Sequence, residues 1–401
     1  MVNNLREALL WLNKFIEVIK MVMENLERLP ETLEEFEYIK GAAQGELVKL
    51  KEKGVPIVGA YCTFFPHELP IAAGAVSVSL CSTSGETIGE AEKILPTNLC
   101  PLIKSSFGFA ITEKCPYFYY SDLVVGETTC DGKKKMYEYL KEYKDVHVMQ
   151  LPNMISKEAM ALWKAEIIKM KEKIEDKFGK KISDEDLRHA VKIMNEYRSS
   201  VKDFYEIMKA DELPMTGLEL WHALNGANYY LYKEDVPAIM KNLKEDVVKN
   251  SKKITGKKRV LITGCPIGAA TEKIIEAVEQ KDAIVVCYEN CGGAKALDRN
   301  VDEDSDDILQ AMAEKYLNIG CACISPNDNR KELLGRLIKE FKVDGVVDMH
   351  LQTCTPFQSE SHGIKTFVNS LGVPYVAVET DYSNNDVGQL NTRLEAFVEM
   401  L

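Results

Sequence analysis

The sequence predicts an α/β protein made of two similar parallel-sheet domains, with helices at the N-terminus and a helical insertion between the domains. Three observations carry this. Short β-branched runs alternate with stretches of helical period, the pattern of a parallel sheet with helical crossovers. The alternation occurs twice, on either side of a segment rich in Lys, Glu, Met and Leu and poor in Gly. A chain of 401 residues is long for one domain and comfortable for two. The boundaries fall at 1–50 (N-terminal helices), 51–154 (first α/β domain), 155–257 (helical insertion and linker) and 258–401 (second α/β domain).

Taken in order, Leu9, Leu12, Phe15, Ile16, Ile19 and Val22 recur at helical spacing, and Pro30 stops that helix. The run 55–61 (VPIVGAY), bounded by glycine and proline, predicts the first strand. Strands follow at Val76–Leu80, Leu123–Val125 and Val146–Leu151, with helical stretches at Ile71–Ala75 and Thr87–Ile94. The insertion predicts four helices, at Lys157–Phe178, Asp184–Met208, Thr216–Tyr232 and Val236–Asn250. Ser183, followed by Asp184, Glu185 and Asp186, is a natural N-cap for the second of these. The basic, polar stretch Lys249–Arg259 reads as a linker. Beyond it, strands are expected at Arg259–Thr263, Ala283–Tyr288, Val343–Met349 and Pro374–Glu379. Helices are expected at Thr271–Glu279, Ile308–Leu317, Arg330–Phe341, Ile364–Leu371 and Gln389–Met400.

A formal net charge of −12 argues against a nucleic-acid groove, which needs a basic face. The N-terminal residues lack the basic n-region of a signal peptide, and no run of about 18 uncharged apolar residues exists, so a cytoplasmic protein with no membrane span is expected. In that compartment disulfides are reduced, yet the chain carries 11 cysteines. Buried cysteines often serve as small hydrophobes. Here, however, many stand beside Gly, Pro or Asp at the ends of apolar runs. Cys62, Cys81, Cys130, Cys265, Cys291 and Cys354 each follow a predicted strand, where open α/β sheets bind their ligands.

The segment Thr263–Gly268 has the position of a phosphate-binding turn, but Pro266 removes a backbone donor and the glycine pattern is incomplete. A structural turn is the expectation there. No Walker motif is present, and no paired C-x-x-C knuckles suggest zinc; Cys321 and Cys323 form only a C-x-C. Nothing singles out one cysteine as a nucleophile. Of the six histidines, His67 and His350 lie near Cys62 and Cys354 in the sequence.

The segments YCTFFPHELPIAAGAV, CPLIKSSFG, TTCDGKKKMYEYL, VDGVVDMHLQTCTPFQSE and VAVETDYSNNDVGQLNTRLEAF together resemble the 2-hydroxyacyl-CoA dehydratase subunit family, which includes benzoyl-CoA reductase subunits. Within it the chain is most similar to the double-cubane cluster proteins, homodimers of a single such chain. The resemblance implies two Rossmann-like domains with a helical region. It also implies that Cys62, Cys100 and Cys354 match the three positions that hold a [4Fe–4S] cluster in the dehydratases. A double cubane, [8Fe–9S], needs six thiolates. The remaining three would come from Cys130, Cys291 and either Cys321 or its near rival Cys323, with Cys321 the first choice and Cys81, Cys115, Cys265 and Cys287 weaker. His67, Glu68, Gln352 and Glu379 lie in the matched motifs and are candidates for proton delivery or tuning, against a reading as caps or interdomain hydrogen bonds. The implied partners are a separate ATP-hydrolysing iron–sulfur activator, a second copy of the chain and a small-molecule substrate such as acetylene. The alternatives are a 2-hydroxyacyl-CoA dehydratase subunit with one [4Fe–4S] cluster, and a non-enzymatic electron carrier.

Overall fold

The computed structural model describes residues 29–37, 39–250, 253–265 and 268–401. The helix expected around Leu9–Val22 and the Pro266 position of the glycine turn lie outside these residues. Among the described residues, eight strands form two four-stranded sheets, each wholly parallel. The first holds β1 (Ile57–Ala60), β2 (Val76–Ser79), β3 (Leu123–Glu127) and β4 (Val146–Met149) in the order β2-β1-β3-β4. The second holds β5 (Lys258–Gly264), β6 (Ala283–Glu289), β7 (Gly345–Leu351) and β8 (Tyr375–Thr380) in the order β6-β5-β7-β8. The two sheets therefore share one topology, and all eight strands fall where β-branched runs predict them.

Side chains alternate along the strands and so feed two cores. Val58, Ala60, Leu123 and Val125 pack with Trp163, Ile167 and Met170 of the helix Lys157–Phe178. Ile57 and Val124 belong instead to the larger core, which continues through Val260, Ile262, Val346 and Val347 of the second sheet. The segment Val301–Ile324, which lies within the second α/β stretch of the sequence, packs into the first of these cores through Met312 and Tyr316.

The helix Asp184–Tyr205 ties the halves together. It starts at a capping box in which Ser183 and Asp186 satisfy each other's backbone N–H, as the sequence suggests. Its first half (Leu187, Ala190, Val191) sits in one core, and its second half (Met194, Val201, Phe204) in the other. Arg198 on this helix donates to the Glu68 carboxylate at 2.9 Å, and Asn195 holds the backbone of Val301.

The helices Pro101–Ile111, Pro116–Tyr120 and Asp131–Leu140 were not expected from the periodicity. The first is buried along almost its whole length and so lacks a polar face, which removes the amphipathic signal. The helix Thr355–Ser370 starts nine residues before the predicted Ile364, directly at Cys354. Among the described residues, no helix is long and apolar enough to cross a membrane.

Candidate functional site

In each sheet the chain starts at a central strand, moves to one edge and returns to the other side. That places a topological switch point between β1 and β3, and another between β5 and β7. Cysteines flank both: Cys62 and Cys130 follow β1 and β3, while Cys265 and Cys354 follow β5 and β7. Cys81 and Cys291 follow the edge strands β2 and β6. All six strand-exit cysteines face one cavity of about 1230 Å³. Cys100, Cys321 and Cys323 line it too, so nine of the 11 cysteines meet there. Cys115 and Cys287 do not; both are buried in the larger core.

The backbone explains part of this placement. Cys100, Cys130 and Cys354 are the N-caps of the helices Pro101–Ile111, Asp131–Leu140 and Thr355–Ser370. Proline in the first turn of two of these costs no hydrogen bond and presets the helix. A sulfur at a helix N-terminus faces unpaired N–H groups and the positive end of the dipole, which favour thiolate.

The thiols interact most closely in two groups, which Cys265 and Cys291 bridge. Cys354 interacts with both Cys100 and Cys265. Cys321 interacts with Cys323, and Cys62 and Cys291 lie within electrostatic reach of Cys321 and of each other. Cys62 thus feels Cys291 and Cys321 most among the cysteines. Burial pushes the thiols of Cys62, Cys81, Cys130 and Cys291 above the ordinary thiol range. Cys321 is the exception: the hydrogen bond from Cys323, with Lys295 and Arg330 nearby, pulls it down to about 6.

Two buried lysines supply positive charge beside the thiols. Lys133 donates to the Tyr61 carbonyl at 3.0 Å, which also accepts the Cys81 thiol at 2.9 Å. Burial opposes its charge, but Tyr137, Cys81, Cys62 and Cys130 outweigh that and hold its pKa well above the usual lysine value. Lys295 stands 3.3 Å from Glu289, which Arg330 also engages at 3.1 Å. Burial again opposes the charge, while Glu289, Cys291 and Cys321 raise the lysine's pKa.

Among the described residues, no three His, Cys, Asp or Glu side chains close on one point as a mononuclear metal would require. The donors are instead soft sulfurs spread over one cavity wall. Sulfurs spread in this way suit a group with several irons, each taking its own thiolate. Most of the thiols are protonated by burial, and a bound cation would displace those protons.

The six cysteines selected as ligands, Cys62, Cys100, Cys130, Cys291, Cys321 and Cys354, all line the cavity. Cys265, ranked lower on sequence, touches Cys354; its place at a strand exit was the available signal. Of the candidate proton carriers only His67 lines the cavity, with Nδ1 at 2.9 Å from the Ser77 hydroxyl. Burial, then Lys233, press its pKa down to about 3, so the imidazole is neutral. Glu68 is away from the cavity wall, fully buried and bound by Arg198 and by Tyr316 at 2.7 Å. Gln352 and Glu379 are exposed and do not line the cavity; Glu379 accepts from Gln358. His350 is buried against Asp348 at 3.0 Å, also away from the cavity. Sequence reasoning missed Lys133, Lys233, Lys295 and Glu127. Glu127 ends β3 with both carboxylate oxygens buried and, among the described residues, without a hydrogen-bond partner, and burial pushes it up to about 8 despite Lys133. Nothing in the local sequence marks a lysine or glutamate as turned inward.

Residues 62–401 match the family model described as 2-hydroxyglutaryl-CoA dehydratase, D-component. The chain is 49% identical over 379 residues to YjiM of Escherichia coli (strain K12), a protein named only provisionally as part of a dehydratase; the match spans 93% of this chain and 98% of that one. It is 24% identical to the (R)-phenyllactyl-CoA dehydratase beta subunit of Clostridium sporogenes, over 88% of this chain and 93% of the relative. It is 20% identical to a benzoyl-CoA reductase subunit of Thauera aromatica, over 82% of this chain and 85% of the relative.

Proposed function

From the premise that this chain belongs to the 2-hydroxyglutaryl-CoA dehydratase D-component family, we propose that it is an iron–sulfur reductase, fed with low-potential electrons by a separate ATP-hydrolysing activator, that acts on small unsaturated molecules such as acetylene. The observation that carries this is the convergence of nine cysteines from both sheets on one cavity, more than a single three-thiolate [4Fe–4S] cluster uses. Cys100, Cys265 and Cys354 would hold one cubane of an [8Fe–9S] double cubane, and Cys62, Cys291 and Cys321 the other. Cys130, Cys81 and Cys323 stand beside them. When bound, the cluster supplies single electrons at a potential that can reach about −700 mV. Lys133 and Lys295 set positive charge against the thiolates, and the cavity wall limits water. The absence of a Walker motif from the sequence is why the ATPase is assigned to a partner. A net charge of −12 suits a salt-sensitive encounter with a basic face on that partner.

A second reading has its own support. The matched family model and two of the three relatives named above carry dehydratase names, which favours a 2-hydroxyacyl-CoA dehydratase subunit with one [4Fe–4S] cluster.

Metal analysis of protein purified without oxygen decides between them. About eight irons per chain, the sum of two four-iron cubanes, and acetylene reduction that requires activator and MgATP are expected. Serine at Cys265 should remove iron, whereas serine at Cys115 should not. About four irons with thioester dehydration and no acetylene reduction would hand the case to the second reading. Absence of iron in anaerobic protein would sink both.

A further inference from the structure

We infer that Lys233, carried by the helical insertion, is the group that hydrogen-bonds to the substrate in the cysteine-lined cavity and hands it a proton. This rests on the cavity being the reaction site, as proposed above.

The cavity has two unlike walls. The sheet ends give it cysteines; the insertion gives it Met194, Tyr197, Trp221, Asn225, Asn228 and Lys233. Lys233 is only 7% exposed. Its Nζ donates to the carbonyls of Ala227 at 3.0 Å and Asn228 at 2.9 Å, at the C-terminal end of the helix Gly217–Tyr229, and lies 4.9 Å over the Tyr197 ring. An ammonium has three N–H groups. Two are spent on these carbonyls, and the third has no acceptor among the described residues. No carboxylate forms a salt bridge with it among the described residues. A lysine that merely caps a helix keeps its head in water. This one is buried at a cavity wall with a donor to spare.

The titratable groups facing it are His67, Tyr197 and its own neighbour Glu234. Its environment is the reverse of that of Lys133 in the same cavity. The thiols around Lys133 hold its proton on. Burial, against only the pull of Glu234, lowers Lys233 to about 7. Two like groups in one site, driven in opposite directions, mark separate roles, here a fixed charge and a proton donor. Neutral His67 adds no competing charge at neutral pH.

The step balances as follows. A substrate multiple bond takes one electron from the low-potential donor, which is oxidised by one electron. Nζ–H breaks, a new bond from hydrogen to the substrate forms, and the neutral amine regains a proton from water. A two-electron reduction repeats the step.

The test uses the full chain, purified anaerobically, with formaldehyde and cyanoborohydride as the labelling probe and acetylene as the substrate probe. At pH 7 Lys233 should be methylated up to ~1000-fold faster than an exposed lysine such as Lys135, because an ordinary lysine near 10.4 is almost wholly protonated there. Acetylene reduction should fall as pH rises through about 7. Lys233→Met should keep its iron, lose ~100-fold in kcat and lose that limb. Lys233→Arg keeps the cap and the charge but cannot give up a proton, so it too should lose the limb even if the Met variant does not fold. Full kcat and an unchanged limb in either variant, or labelling no faster than at Lys135, would overturn the inference while leaving the proposed function standing. Wild-type protein without iron would overturn both.

Discussion

Both oxygens of the Glu68 carboxylate are engaged, one by Arg198 and one by Tyr316, and none of its surface reaches water. The guanidinium and the phenol overcome burial and hold its pKa below the usual carboxylate value. A lowered carboxylate pKa means that the folded state binds the proton less readily than the unfolded chain. The stabilisation is therefore present above the unfolded value near 4.3 and fades as pH falls through the folded one. Glu68→Gln leaves Arg198 buried without its counter-charge and should cost ~3 kcal/mol at neutral pH, read by anaerobic chemical denaturation, with the difference from wild type shrinking in acid. A variant of unchanged stability but lost activity would restore Glu68 to a catalytic role. Proximity to a ligand in the sequence did not locate the chemistry because it does not fix direction. Glu68 turns into a core, Gln352 lies just past β7 with its side chain in solvent, and Glu379 lies exposed on an edge strand. Lys233 and Lys133 were invisible for the converse reason: a long charged side chain is expected to reach water, and only the packed structure shows it turned inward.

At the scale of elements, β1, β3, β5, β6 and β7 were legible because a parallel strand buried on both faces reads as an apolar run, while the half-buried β2, β4 and β8 were legible from their β-branched valines between turn residues. The helices that begin at Cys100 and Cys115 were not, since buried or short helices carry no 3.6-residue stripe; the helix that begins at Cys130 buries Met136, Tyr137 and Leu140 along one face, but its stripe is interrupted by the inward-facing Lys133. Their signal was chemical instead, a Cys-Pro or Cys-Asp pair at the helix start. The exits of the strands must also be held to fine tolerance. Gly264 closes β5 at φ 112°, and a Cβ there would stand 2.1 Å from the Met349 carbonyl oxygen on β7. Gly179, the C-cap of the helix Lys157–Phe178, has φ 68° but open space around it. Gly179→Ala should therefore cost about 1 kcal/mol for the left-handed backbone alone. Gly264→Ala should add a steric penalty of ~1–3 kcal/mol, because β7 must move to admit the methyl group. It should also displace Cys265 and lower iron content. Equal destabilisation of the two variants by denaturation would show that the β5–β7 contact is softer than the geometry indicates.

At the scale of the molecule, the sequence placed cysteines at strand ends, which two facing domains would bring into one cleft, but it did not say what holds the two sheets in that arrangement. That arrangement depends on the helix Asp184–Tyr205, which is shared by both cores, and on the segment Val301–Ile324, which crosses from the second sheet to pack on the first. An amphipathic helix declares that one face is buried without declaring against what. One consequence can be measured. The thiols of each group come from both halves of the chain: Cys100 with Cys265 and Cys354, and Cys62 with Cys291 and Cys321. If iron is bound by both groups, it links the halves across the cavity, and losing one ligand must loosen loops that are distant in sequence. Cys62→Ser should accelerate amide exchange not only at residues 62–67 but also at 291–293 and 321–324, by tenfold or more, equivalent to ~1.4 kcal/mol of lost local stability. Amides in the middle of β5 and β7 should be unaffected, since their hydrogen bonds lie in the core. Cys287→Ser, which changes a buried thiol outside the cavity, should leave the 62–67 loop unchanged. Faster exchange confined to residues 62–67 in the Cys62 variant would mean that each half holds its own cofactor independently, and that the cavity between them is not a shared site.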